Sequence, residues 1–193
     1  MNILYVNATI SRDSRTERLA QYLLSKLKGD IKEVDLTMEN IPHLNLETLE
    51  HRTALINDYN FEDSMFYYAR DYVAADMIVI SAPYWDLSFP AVLKNYIENI
   101  NIPGLAFQYD ENEKPIGLCN AKDLIYITTS GGKIVSDEYG FGYIKELAQK
   151  FHGIKNIHYI EAQKLDMKDS NVEEILQKAE EKIDKTFKNC TNE

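Results

Sequence analysis

The chain has 193 residues, with 21 Lys and Arg against 31 Asp and Glu, so its formal net charge at pH 7 is −10. This length and a hydrophobic content of 45% predict one soluble globular domain over residues 1–193. The negative charge argues against a nucleic-acid binder, which needs a basic surface, and no apolar run is long enough to span a membrane.

Apolar runs along the chain alternate with longer amphipathic stretches. Residues 3–6, 77–80 and 124–127 are near-continuous apolar runs, which are typical of parallel strands buried on both faces. Residues 31–36 and 157–162 predict two weaker strands. Strands that alternate with helices predict a doubly wound α/β fold, a parallel sheet of about five strands with helices on both faces. The helices are expected within residues 19–27, 92–97, 143–151 and 172–183, and a long, partly helical excursion within residues 40–63.

Three loops are expected to lie together, because ligands of doubly wound sheets bind beyond the carboxyl ends of the strands. The loop after the first strand, residues 7–16, contains no glycine and matches neither a dinucleotide-binding motif nor a P-loop. It holds four hydroxyl side chains and two arginines before a helix, which predicts a site for a single phosphate group. Ser14 has an alternative role as a helix N-cap, with Glu17 completing a capping box.

The other two loops predict the surroundings of a flat ring. Residues 82–90 place Trp85, the only tryptophan, and two further aromatic side chains after the second strong strand. These aromatics either border a planar ligand or pack against the helices. Residues 128–133 contain Gly131 and Gly132, which either let a ligand edge approach the backbone or form a plain turn. Together the loops predict one pocket, with a phosphate at the first loop and a ring between the other two.

Residues 83–87, 89–97 and 129–132 resemble the FMN-dependent NADH-azoreductases, which belong to the flavodoxin-like NAD(P)H:quinone oxidoreductase family. Residues 107–118 are similar to that family's loop between the third helix and the fourth sheet strand, and the similarity continues in order to the last helix. The resemblance implies a flavodoxin-like fold and a bound FMN. It implies that the phosphate is held by Thr9, Ser14, Arg15 and Thr16, and that the remainder of FMN lies along Pro83, Tyr84, Trp85, Asp86, Leu87, Thr129, Ser130, Gly131 and Gly132.

The implied activity is an oxidoreductase reaction. NADH or NADPH gives two electrons to FMN and leaves, and a quinone, azo compound or related aromatic then takes them by a ping-pong mechanism. No side chain is expected to act as a catalytic group, and NADH is favoured because no basic cluster awaits a 2′-phosphate. The resemblance also implies a homodimer with shared active sites. Candidate walls of the substrate pocket are Phe107, Tyr109, Tyr139 and Phe141.

Three places depart from the family pattern. The family commonly has Ser near Ala8 or Thr9, which leaves the register of the first phosphate-loop ligand open. The family usually has Asn at the position of Asp86 and often has Phe at that of Leu87. The change at Asp86 has little effect if its backbone makes the contact. A carboxylate that faces the flavin would instead lower the flavin's reduction potential, because it would oppose the developing negative charge.

The cysteines and histidines predict no further reactive centre. Cys119 and Cys190 are the only cysteines, which is typical of a reduced cytoplasmic protein without a disulfide framework or a metal site. The four histidines lie outside the three loops and are expected to be at the surface or partly packed: His43, His51, His152 and His158.

Two other functions remain open. A flavodoxin-type electron carrier would bind FMN without turning over a substrate, and the acidic charge suits docking on basic partners. A binding module of the same fold would take no flavin. None of these alternatives involves nucleic acid or a membrane.

Overall fold

Five parallel strands form the main sheet of the computed structural model, which describes residues 1–187. The strands in chain order are β1 (Asn2–Asn7), β2 (Asp30–Asp35), β3 (Met77–Ser81), β4 (Phe107–Tyr109), β5 (Pro115–Gly117), β6 (Asp123–Thr129) and β7 (Asn156–Ala162). The sheet has the spatial order β2–β1–β3–β6–β7, whereas β4 and β5 pair separately as an antiparallel hairpin. This order confirms the predicted doubly wound α/β fold and its five strands.

The helices lie on both faces of the sheet. They are α1 (Arg15–Leu24), α2 (Leu46–Asn57), α3 (Tyr67–Ala74), α4 (Ala91–Ile100), α5 (Tyr143–Lys150) and α6 (Val172–Thr186). The four helices expected from apolar spacing are α1, α4, α5 and α6, and α2 confirms the partly helical character of residues 40–63. Within residues 1–187, no helix is long and apolar enough to cross a membrane.

Both faces of the sheet are buried, as the continuous apolar runs predict. In β1, Leu4 and Val6 pack into the core beneath α3, α4 and α5, whereas Ile3 and Tyr5 pack beneath α1 and α6. Successive side chains of a strand point to opposite faces, so an unbroken apolar run supplies both cores at once. Residues 40–63 are attached to the core beneath α3, α4 and α5. The Asn95 side chain of α4 donates to the carbonyl of Ile41 at 2.9 Å.

Cys119 lies half-buried between the hairpin and β6, and its thiol approaches the carbonyl oxygen of Ala106 at 3.7 Å. Burial raises the pKa of this thiol to about 12. The side chain therefore stays protonated near neutral pH and acts as a small apolar group. Cys190 lies outside the described residues.

His152 differs from the expectation for the histidines, because it is fully buried between α3 and the end of α5. Its Nδ1 lies 3.0 Å from the Tyr72 hydroxyl, and its Nε2 lies 3.3 Å from Asn101 Oδ1. Burial lowers the pKa of His152 from 6.5 to about 4, since the charged ring would lose its hydration. His43 and His51 are exposed, and His158 is half-buried, as expected.

The buried imidazole predicts a loss of stability in mild acid. Between pH 6.5 and pH 4 the unfolded chain binds a proton at His152 that the native protein does not, so the free energy of unfolding falls as the pH is lowered. From pH 7.5 to pH 5 this loss should be about 2 kcal/mol, measured by urea unfolding. His152→Gln should remove that part of the pH dependence and the exposed control His43→Gln should keep it; an unchanged pH dependence in His152→Gln would contradict the assignment.

Candidate functional site

The three predicted loops meet because the hydrogen-bond ladder of the sheet continues past the ends of its strands. Backbone amides that leave one strand donate to carbonyls of the neighbouring strand, so each loop starts in register with the next. The bonds run from Ala8 N to Ser81 O at 2.8 Å, from Ala82 N to Ile127 O at 3.0 Å, and from Tyr84 N to Thr129 O at 2.9 Å. These bonds hold the first, second and third loops at one edge of the sheet.

A cleft of about 300 Å³ opens where the loops meet. Eight predicted residues line it: Ser14, Arg15, Thr16, Pro83, Tyr84, Trp85, Thr129 and Gly131. Four lining residues were not predicted: Ile10, Ser11, Asp13 and Asp166. The first three belong to the phosphate loop, and Asp166 follows β7 at the same edge of the sheet, which is the only sequence signal that could have indicated it.

The phosphate end of the cleft is the start of α1. The Ser14 hydroxyl accepts the amide of Glu17 at 3.2 Å, which confirms the N-cap, while the hydroxyl hydrogen stays available to a ligand. Glu17 does not complete a capping box, because its carboxylate accepts the Thr9 hydroxyl at 3.4 Å. The first turn of a helix also offers amide N–H groups that have no partner within the helix. The Thr16 hydroxyl is buried against that of Thr129 at 2.7 Å and joins the first loop to the third.

Thr9 does not line the cleft, and its hydroxyl bonds within the first loop. It donates to Asn7 Oδ1 at 2.7 Å, and the Thr9 amide donates to the same oxygen at 3.0 Å. The Ser81 hydroxyl also approaches this oxygen, at 3.3 Å. The Asn7 side chain therefore fixes how the chain leaves β1, and the Thr9 side chain serves the loop's shape.

The second loop reverses direction in a tight two-residue turn. Trp85 and Ser88 exchange backbone hydrogen bonds of 3.0 and 2.7 Å, and the residues between them, Asp86 and Leu87, have φ angles of 48° and 71°. Positive φ at both central positions is the mark of a type I′ turn, which Asp tolerates and Leu rarely adopts. Both side chains are exposed and do not line the cleft, whereas Trp85 lines it and remains 47% exposed.

The third loop keeps amide donors unused. The carbonyls of Ser130, Gly131 and Gly132 accept the amides of residues 165, 166 and 164 at 3.1, 2.9 and 2.8 Å. The Ser130 hydroxyl donates to the Gly132 carbonyl at 2.7 Å. Within residues 1–187, the amides of Gly131 and Gly132 have no hydrogen-bond acceptor. Gly131 lines the cleft and Gly132 does not, so the loop presents the Gly131 N–H group to a ligand there.

The four candidate pocket walls do not line the cleft. Phe107 is buried against Phe151 with ring centroids 5.1 Å apart, and Phe141 stacks on Tyr159 at 4.1 Å. The other two, Tyr109 and Tyr139, are exposed. No cluster of His, Cys, Asp or Glu suited to a metal ion is present among the described residues.

Comparisons with known proteins agree with this architecture. The family model Flavodoxin_2, described as a flavodoxin-like fold, matches residues 1–187. An FMN-dependent NADH:quinone oxidoreductase of Clostridium beijerinckii is 33% identical over 97% of this chain and 98% of its own length. One of Clostridium perfringens is 34% identical over 96% of each chain.

Solved structures share the fold at lower identity. An azoreductase from Bacillus anthracis superposes with a TM-score of 0.84 at 21% identity and covers 96% of this chain and 97% of its own. An FMN-dependent NADH-azoreductase from Bacillus anthracis, solved in complex with FMN, gives a TM-score of 0.82 at 21% identity over 99% of each chain.

The contact between the third loop and Asp166 predicts unequal roles for the paired glycines. A Cβ at Gly131 would lie 2.2 Å from Asp166 Oδ2, whereas one at Gly132 would meet nothing within 4 Å. Gly131→Ala should therefore lower the free energy of unfolding by about 1 kcal/mol, because Asp166 must move. Gly132→Ala should stay within about 0.5 kcal/mol of the unsubstituted protein. Urea unfolding measures both variants. Equal free energies of unfolding for the two would show that the close approach of Asp166 to Gly131 does not affect stability.

Proposed function

Because this chain belongs to the flavodoxin-like Flavodoxin_2 family, we propose that it passes two electrons from NAD(P)H, through FMN, to quinones, azo compounds or related aromatics. The curated relatives from Clostridium are FMN-dependent NADH:quinone oxidoreductases and are similar over nearly their whole length. The protein is accordingly a flavin-dependent oxidoreductase with NADH as a donor. The ping-pong order, the dimer and the individual site residues are parts of the proposal.

One observation carries the proposal: a single cleft joins a helix N-terminus to an aromatic wall. The start of α1, with Ser14 and Arg15, offers N–H and O–H donors to a phosphate group. Tyr84 and Trp85 lie along the same cleft and offer apolar surface to a flat ring. These donors and surfaces fit FMN, which has a phosphate at one end and an aromatic ring system at the other.

FMN, when bound, supplies the two-electron chemistry that side chains lack. The chain's own residues would bind FMN and orient it in the cleft. The unpartnered amide of Gly131 would donate to oxygen and nitrogen atoms on which negative charge develops. Trp85 would cover one part of the ring and exclude water. Donor and acceptor would then use the remaining opening of the cleft in turn, which is the basis for the ping-pong order.

A second copy of the chain completes the proposed pocket. Tyr109 and Tyr139 are more than half exposed, and Val135 is 78% exposed. Association would bury such large apolar side chains and would bring candidate pocket walls of one chain to the cleft of another. We also propose a cytoplasmic location for the homodimer, since two cysteines in a chain of this size make no disulfide framework. The domain is proposed to span residues 1–193.

Turnover with purified components separates the candidate functions. With FMN, NADH and a quinone present, the absorbance of the nicotinamide should fall continuously, and double-reciprocal plots at several quinone concentrations should be parallel. A protein that binds FMN without consuming NADH would be an electron carrier, which the net charge of −10 favours. A protein that fails to bind FMN would be a binding module of the same fold.

Trp85 should matter more than any histidine. Trp85→Ala removes a large apolar surface from the cleft and should weaken FMN binding or turnover by about tenfold or more. Trp85→Phe should restore most of this loss. His43→Gln and His158→Gln should leave the rate within about threefold, a barrier change below about 1 kcal/mol. A histidine variant that binds FMN but no longer oxidises NADH would require a protein acid or base in the mechanism.

A further inference from the structure

Arg15 carries the only positive charge among the residues that line the cleft in the described chain, and Asp166 contacts it there. We propose that Asp166 is a positioning residue, which holds the Arg15 guanidinium at the start of α1 so that its remaining N–H groups face the phosphate of FMN. This inference rests on the proposed function only in requiring FMN as the ligand. It adds a residue from the loop after β7 to a phosphate site that the sequence placed wholly in the first loop.

The contacts of Arg15 all involve one nitrogen. Nη1 lies 2.8 Å from Asp166 Oδ1 and donates to the carbonyl of Leu165 at 3.2 Å. Within residues 1–187, the N–H groups of Nη2 and Nε have no such partner. A guanidinium anchored at one nitrogen presents its other donors in a fixed plane, and this suits the paired oxygens of a phosphate.

Asp166 is itself held in place by the third loop. Its amide donates to the Gly131 carbonyl at 2.9 Å, and the neighbouring amide of Leu165 donates to Ser130 at 3.1 Å. Gly131 has no side chain, and a Cβ there would collide with the Asp166 carboxylate. The carboxylate therefore occupies a space that the glycine leaves free, on a backbone held to the third loop at Asp166 itself and at the residue before it. The Arg15 pair lowers the pKa of Asp166, so the carboxylate is ionised at neutral pH.

An exposed ion pair contributes little to folding, so stability alone does not explain this arrangement. A carboxylate near the phosphate site also repels the phosphate, which would weaken binding if the carboxylate had no other effect. Restricting Arg15 works in the opposite direction, because the side chain then loses less conformational freedom when the ligand binds. If repulsion dominates, neutralising the carboxylate tightens FMN binding; if the restriction of Arg15 dominates, it weakens FMN binding. Binding measurements therefore separate the two effects.

The test compares FMN with riboflavin, which has the same ring system and no phosphate. Dissociation constants of the full-length protein are measured by flavin fluorescence titration for Asp166→Asn, Arg15→Gln and the double variant. We expect Arg15→Gln to weaken FMN binding by about tenfold and Asp166→Asn by about threefold to tenfold, with riboflavin unchanged. Adding Asp166→Asn to Arg15→Gln should cause no further loss, because Asp166 acts through Arg15.

A second ion pair on α1 provides the matched control. Arg18 donates to both carboxylate oxygens of Glu173 at 2.9 and 2.8 Å, on a part of the helix outside the cleft. Glu173→Gln should leave the dissociation constants of FMN and riboflavin unchanged. A loss like that of Asp166→Asn would mean that any ion pair of α1 supports binding indirectly.

Three results with the Asp166→Asn variant would overturn the inference. Tighter FMN binding in Asp166→Asn would mean that Asp166 competes with the phosphate for Arg15. If the variant weakened binding of FMN and riboflavin equally, Asp166 would have only a structural role. If FMN binding were unchanged, Asp166 would have no role in binding the phosphate. Failure of the proposed oxidoreductase activity is a separate result, since a protein that binds FMN without turnover still tests the positioning of Arg15. A protein that binds neither flavin would overturn both.

Discussion

Parallel pairing of β1, β3 and β6 is the constraint on which the site depends. Parallel strands end at a common edge, and the ladder continues through the amides of Ala82 and Tyr84 into the loops themselves. The register of the strands therefore determines where each loop begins relative to its neighbours. A shift of one residue would exchange the two buried faces of a strand as well as misplace its loop, so the packing of both cores also protects the geometry of the cleft.

The sequence predicted the sheet well because its signal is local. An unbroken apolar run such as residues 77–80 has few alternatives to a strand buried on both faces. The hairpin was missed because β4 and β5 have three residues each, too few to show periodicity. The helix α3 was not predicted either, because aromatic residues such as Tyr67 dominate its start and the apolar spacing typical of a helix is weak there.

Within the site, the sequence predicted which loops meet, but it did not predict which partners their side chains contact. The hydroxyl of Thr9 points to Asn7, and that of Thr16 points to Thr129; neither preference is visible in a run of hydroxyl residues. Asp166 lies 151 positions after Arg15, and only the folded sheet brings the two together. Choices of this kind are made by tertiary contacts, whereas the position of a loop at the sheet edge follows from the order of strands and helices alone.

The burial of Cys119 has a chemical consequence for a protein proposed to handle quinones. Quinones are electrophiles as well as oxidants, and they add to thiolates at rates set by how much thiolate is present. With a pKa of about 12, the Cys119 thiol is deprotonated in only about one molecule in 100,000 at pH 7. At this cysteine the fold resists alkylation by the compounds that the protein is proposed to reduce.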